Sequence, residues 1–147
     1  MSLAPPRAPV VGVGGVAILD GKVVLIRRGK PPLEGRWTIP GGTVELGETL
    51  VEALVREMQE ETGLQVEPDG LLTVFDRVAR EGGRVQYHYV IVDYLCRVRG
   101  GEPCAGSDAR ELALAGEDEL GRFELPDKAL EVVREGFARW RGARHAG

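Results

Sequence analysis

Glu57, Glu60 and Glu61 are the residues whose spacing first suggests chemistry. On a helix turning ~100° per residue they share one arc. Glu57 and Glu61 stand one turn apart, with Glu60 between them in height. Like charges at this spacing cost an isolated helix roughly a few tenths of a kcal/mol per pair. A helix kept only for its structure gains by interleaving lysines, yet the one base nearby is Arg56, placed to steady a carboxylate. The plain alternative is a solvated helix face. The chemical reading is a site for a hard divalent cation. Carboxylate oxygens are the ligands that Mg²⁺, or alternatively Mn²⁺, prefers, with water and phosphate oxygen completing the shell. The preceding Pro40-Gly41-Gly42 lets backbone run close to a ligand because glycine has no Cβ, and Trp37 can pack behind that loop.

The elements that must position these groups follow from local pattern. Thr49 can N-cap a helix, Glu52 completes a capping box and Gly63 suits the C′ position, so a helix over 49–62 is expected. Leu54, Met58, Val51 and Val55 form its apolar arc. Upstream, 9–19 and 22–28 read as strands joined by an Asp20-Gly21 hairpin turn. Gly12-Val13-Gly14-Gly15 is followed by more strand rather than a helix, which argues against a dinucleotide loop and for close packing. Residues 29–36 read as loop. Residues 71–79 and 84–98 read as long strands around Glu81-Gly82-Gly83, and 99–121 as mostly charged loop. Leu130, Val133, Phe137 and Trp140 give 127–141 a helical core stripe, with the tail at 142–147 frayed.

The stretch Gly42 to Leu64 resembles the Nudix box: Gly42, five residues, Glu48, seven residues, then Arg56, Glu57, apolar Met58, Glu60, Glu61, Gly63 and apolar Leu64. Every position of the motif is matched. The resemblance implies an α/β Nudix fold, an α/β/α sandwich with a mixed β-sheet between helices, extending over about 9–141. It further implies Glu57, Glu60 and Glu61 as metal ligands, joined by the Gly41 carbonyl, with one box glutamate activating water. Arg56 would hold a box glutamate by a salt bridge and Glu48 would support the site. The implied activity is Mg²⁺-dependent hydrolysis of a diphosphate bond in a nucleoside diphosphate linked to another moiety, of the ADP-ribose or NDP-sugar type. The alternatives are a (d)NTP pyrophosphohydrolase of the nucleotide-sanitising kind and a non-catalytic ligand-binding module on the same fold.

Outside the box, the late loop offers Asp108 and Glu111, with Glu102 a weaker candidate, as a further base or ligand. Arg27 and Arg28, with Lys30 after them, end a strand near the box and could meet phosphates. Tyr87, His88 and Tyr89 cannot all face one side of a strand; Tyr87 is the candidate for lining a substrate pocket.

The 147 residues fit one domain, long enough to bury a core without disulfides. The net charge of −4 is local: the box holds six glutamates and one arginine, leaving 18 basic against 17 acidic residues elsewhere. No basic stripe suggests a nucleic-acid polymer as partner. No run approaches the ~18 apolar residues of a membrane span, and residues 1–9 carry no signal-peptide pattern. The two cysteines, Cys96 and Cys104, have no CxxC partner, so reduced thiols and a cytoplasmic location are expected. The implied partner is a small-molecule nucleotide substrate, and the resemblance leaves a homodimer open.

Overall fold

The computed structural model describes residues 8–31, 33–106 and 109–146, with side chains as far as Ala143. Seven strands form one sheet. β1 (Val10–Leu19) and β2 (Lys22–Arg28) make the expected hairpin, with φ positive at both Asp20 and Gly21 as the favoured two-residue turn requires. β3 (Trp37–Thr38) pairs with β2 and β4 (Gly41–Thr43) with β1. After α1 (Leu50–Thr62) come β5 (Leu64–Glu81), β6 (Arg84–Gly101) and β7 (Ala109–Ala115). A short 3-10 helix (Glu117–Phe123) and α2 (Asp127–Ala146) complete the chain. The path β3-β2-β1-β6-β5 is antiparallel except where β1 lies parallel to β6, so the sheet is mixed.

Strand alternation divides the core into two layers. Val16 and Ile18 of β1 pack with Leu95 of β6 and with Ala129, Val132, Val133 and Phe137 of α2. Val13 and Ala17 of β1 pack with Val92 and Cys96 of β6 and with Ala53, Leu54 and Met58 of α1. One helix therefore lies on each face. Gly15 allows α1 to approach: a Cβ there would stand 2.8 Å from the sulfur atoms of both Met58 and Cys96.

Several boundaries differ from the sequence expectation. β5 and β6 run through 64–81 and 84–101 instead of 71–79 and 84–98. β5 is an edge strand, so Pro68 breaks no ladder on its outer side, and register shifts around Pro68 and Leu71 absorb the irregularity. The supposed loop 99–121 holds β7, whose Ala-Arg-Glu-Leu-Ala-Leu-Ala sequence has little strand propensity. Pairing along β2 from Val23 to Arg28 overrides that preference. α2 continues past Arg141 to Ala146, carrying Gly142 in its interior despite that residue's low helix propensity; Gly147 lies outside the described residues. In α1 the buried arc is Ala53, Leu54, Met58, Glu61 and Thr62, while Val51 and Val55 are exposed. The helix is rotated so that its acidic side turns in toward β4. Among the described residues, no helix is long and apolar enough to cross a membrane.

Candidate functional site

α1 begins and ends as its sequence dictates. The Thr49 side chain accepts from the Glu52 N–H, the Glu52 carboxylate accepts from the Thr49 N–H, and Gly63 closes the helix with φ 74°. The loop after β6 then ties the C-terminal turn down: Cys104 N–H donates to Thr62 O and Gly106 N–H to Glu61 O. With both ends fixed, the register of Glu57, Glu60 and Glu61 against β4 is set.

Arg56 gathers the acids. Its Nε and Nη2 donate to the two oxygens of Glu48 at 2.6 and 2.8 Å, the bidentate geometry in which arginine binds carboxylate most strongly. Nη1 donates to Glu57 at 2.8 Å and to Glu60 at 3.2 Å, and Nη2 also reaches Thr43 O at 3.0 Å. These bonds tie the helix, the preceding loop and β4 into one unit. The guanidinium, with the Glu45 N–H as a second donor, holds the Glu48 carboxyl down at about 2. Glu48, above all, and Glu57 push the arginine pKa above its already high value.

Glu61 is 8% exposed, and its Oε2 accepts from the Gly41 N–H at 3.4 Å. Gly42 is a cradle for Glu57: a Cβ there would stand 2.3 Å from the Glu57 Cδ and Oε2. Any larger residue would push that carboxylate aside. Among the described residues, no three acidic, histidine or cysteine side chains converge closely enough to hold an ion in this arrangement, in which Arg56 and the Gly41 amide engage the acids. The donor chemistry nonetheless fits a hard cation. All the side-chain donors are carboxylate oxygens, the Gly42 notch holds one of them against the backbone, and Arg56 is the base engaging the cluster.

Gly41 and Gly42 also line a cavity of about 130 Å³ on the α2 face of the sheet. Its walls include Phe75, Tyr89, Ile91 and Ile39, with Arg28 and Arg77 contributing cations and Asp93 a carboxylate. Phe75 lies opposite Ile91 across β5 and β6, and Arg77 opposite Tyr89. The Arg77 and Lys128 cations both stand over the Phe75 ring, 5.6 and 5.2 Å from its centroid. Asp93 is 3% exposed. Burial pushes its carboxyl up to about 6, against the through-space pull of Arg77 and Lys128. It lies beside Gly14 of β1, where a Cβ would be 2.3 Å from Asp93 Oδ1.

The box residues therefore meet at one locus, whereas the other candidates disperse. Arg28 lines the cavity. Arg27 does not: it bonds Glu111 at 2.9 Å and Gly35 O at 3.0 Å, because β7 brings Glu111 into register opposite Arg27. That ion pair accounts for both residues structurally. Glu102 and Lys30 are exposed, and Asp108 lies outside the described residues. Tyr87 packs on Tyr89 with ring centroids 5.7 Å apart, but it is Tyr89 that lines the cavity. Phe75, Arg77, Ile91 and Asp93 carried no strong sequence signal. The one available hint was an acid interrupting the apolar run from Val90 to Leu95.

Comparison with known proteins bears on the family and the fold. Residues 8–136 match the family model described as NUDIX domain. The chain is 35% identical over 133 residues to an ADP-ribose pyrophosphatase of Methanocaldococcus jannaschii, covering 90% of this chain and 75% of that protein. It is 50% identical over 56 residues to a human protein named 8-oxo-dGDP phosphatase NUDT18, covering 38% of this chain and only 17% of that one. Among solved structures, a MutT NUDIX hydrolase from Burkholderia pseudomallei superposes with a TM-score of 0.76 at 30% identity, over 88% of this chain and 98% of the other.

Proposed function

The chain belongs to the NUDIX domain family, and from that premise we propose that it hydrolyses the diphosphate bond of a nucleoside diphosphate joined to a second moiety, of the ADP-ribose or nucleotide-sugar kind. One observation carries this reading: the carboxylates of α1 and a cavity of ring size adjoin the same two glycines, Gly41 and Gly42. A nucleoside end in the cavity brings the attached phosphates to the acids. Likeness to an archaeal ADP-ribose pyrophosphatase over most of the chain supports the substrate class.

Glu57, Glu60 and Glu61, with the Gly41 carbonyl, are the groups that would hold a divalent cation, Mg²⁺ or alternatively Mn²⁺. Such an ion neutralises phosphate charge and makes water a better nucleophile at neutral pH. The chain's own residues do the rest. Arg56, held by both oxygens of Glu48, fixes the orientation of Glu57 and Glu60 and keeps neighbouring acids compatible before substrate arrives. A box carboxylate oxygen accepts the proton of the attacking water. Arg28 meets anionic oxygen from the cavity side.

Likeness to the human 8-oxo-dGDP phosphatase favours a second reading, in which the same acids serve a nucleotide-sanitising pyrophosphohydrolase. A panel of ADP-ribose, nucleotide sugars, dinucleoside polyphosphates and dNTPs, with Mg²⁺ or Mn²⁺, separates the two. Turnover of ADP-ribose or a nucleotide sugar above every dNTP is the expected result; a strong dNTP preference selects the second reading, and no hydrolysis of any diphosphate indicates a binding module. Glu61→Gln should lower turnover by roughly 100-fold or more while leaving the circular-dichroism spectrum unchanged. Near-unaltered turnover in that variant would refute the assignment of the acids.

A further inference from the structure

Asp93 is a buried acid that the hydrolytic machinery does not use. Among the described residues its carboxylate takes part in no hydrogen bond or ion pair, while Arg77 and Lys128 act on it only through space. Among the described residues no buried side-chain oxygen lacks a partner, so the Asp93 oxygens reach the cavity that it lines. Gly14 makes room for them, since a Cβ there would collide with Oδ1. The chain thus keeps a desolvated acid, and a glycine to accommodate it, in a cavity lined by apolar and cationic side chains. Burying such a group without a partner is costly, which is the mark of a group that waits for a ligand.

The chemistry of that ligand can be narrowed. An ionised carboxylate only accepts hydrogen bonds, and it repels phosphate. Arg28 and Arg77 line the same cavity and would repel a further cation, so the group meeting Asp93 is an uncharged donor. The cavity of about 130 Å³ is comparable with the ~150 Å³ hole that takes up a benzene ring. Its walls include aromatic and aliphatic side chains, Phe75, Tyr89, Ile39 and Ile91, beside the cations of Arg28 and Arg77. A planar heterocycle with an N–H edge satisfies both conditions.

We infer that Asp93 is a specificity-determining residue that accepts a hydrogen bond from an amino or ring N–H of the substrate's base. The inference rests on the proposed function only in taking the substrate to be a nucleotide. Donors on the base edge are then required for tight binding, and Asp93 is what requires them.

The test compares ADP-ribose with its analogue in which the adenine amino group is replaced by hydrogen. In the unmodified protein kcat/KM should fall by roughly 10- to 100-fold on losing the amino group, with the loss in KM. In Asp93→Leu the ratio between the two substrates should collapse to near one. Asp93→Asn, which keeps an acceptor oxygen, should retain part of it. A ratio that survives in Asp93→Leu, or a ratio near one in the unmodified protein, overturns the inference. So does a loss that follows removal of the ribose hydroxyls in place of the amino group. If the leucine variant does not fold, Asp93→Ala takes its place, with the same collapse of the ratio expected and a surviving ratio overturning the inference. Calorimetric binding of AMP against purine riboside monophosphate needs no turnover. A chain that hydrolyses nothing but prefers AMP would therefore refute the hydrolase reading and keep this one; equal affinities would refute this one alone.

Discussion

Replacing Asp93 by asparagine should stabilise this protein at neutral pH. The carboxyl is 3% exposed and pushed up to about 6 by burial, against about 3.9 for the same group in an unfolded chain. Arg77 on β5 and Lys128 on α2 oppose the shift without cancelling it, and Arg28 of β2 and Tyr89 of β6 face the same cavity. A raised carboxylate pKa means that the folded state holds its proton longer than the unfolded state does. The group therefore costs nothing at about pH 3 and below, where both states are protonated, and its cost grows as pH rises through about 6 and is constant above. A shift of about two units at ~1.36 kcal/mol per unit gives about 3 kcal/mol. Asparagine cannot ionise and escapes this cost. Urea or thermal unfolding of both proteins from pH 4 to 8, without nucleotide or metal, measures the difference, and subtraction cancels every other titrating group. The curves should lie within about 0.5 kcal/mol of each other near pH 4 and separate by about 3 kcal/mol at pH 7, roughly 6–12 °C in Tm for a chain of this size. A difference independent of pH, or an aspartate protein more stable at pH 7, would refute the reasoning. Either result would mean that the two cations fully compensate the buried charge. The expected result marks Asp93 as a group retained at the expense of stability, as functional groups commonly are.

Gly42→Ala should lower hydrolysis by roughly 100-fold, the scale on which a displacement of about 1 Å at a catalytic group acts, because its Cβ would stand 2.3 Å from the Glu57 carboxylate. Steady-state kinetics with an unchanged dichroism spectrum checks this, and an alanine variant with undiminished kcat would show that Glu57 needs no such seat. Glu48→Gln should flatten the acid limb of the stability profile. The Arg56 bond holds the Glu48 carboxyl down at about 2, so its contribution is present above the ordinary carboxylate pKa of about 4.3 and is lost as pH falls toward 2. Acid unfolding followed by dichroism should therefore show the gap between the two proteins narrowing across that window; a gap of constant width would argue against the Arg56–Glu48 bond as its source.

What the sequence determined by itself is local. The start and stop of α1 are written in Thr49, Glu52 and Gly63, whose bonds span three or four residues. The β1–β2 turn is written in Asp20-Gly21. The acids of the box fall on one arc because helical periodicity is fixed by the backbone. Tertiary structure decided everything that depends on partners far along the chain. Local pattern favoured Val51 and Val55 as buried, but packing against β1 and β5 rotated α1 so that Glu61 went in and the two valines stayed out. Arg27 and Glu111, plausible phosphate and metal contacts when read singly, neutralise each other because β7 joins β2. Asp93 became a candidate only when the parallel pairing of β1 and β6 set it beside Gly14, and β5 and α2 brought Phe75 to the same cavity with Arg77 and Lys128 over its ring. Burial and desolvation are properties of that assembly, since the same aspartate in an extended chain is simply hydrated.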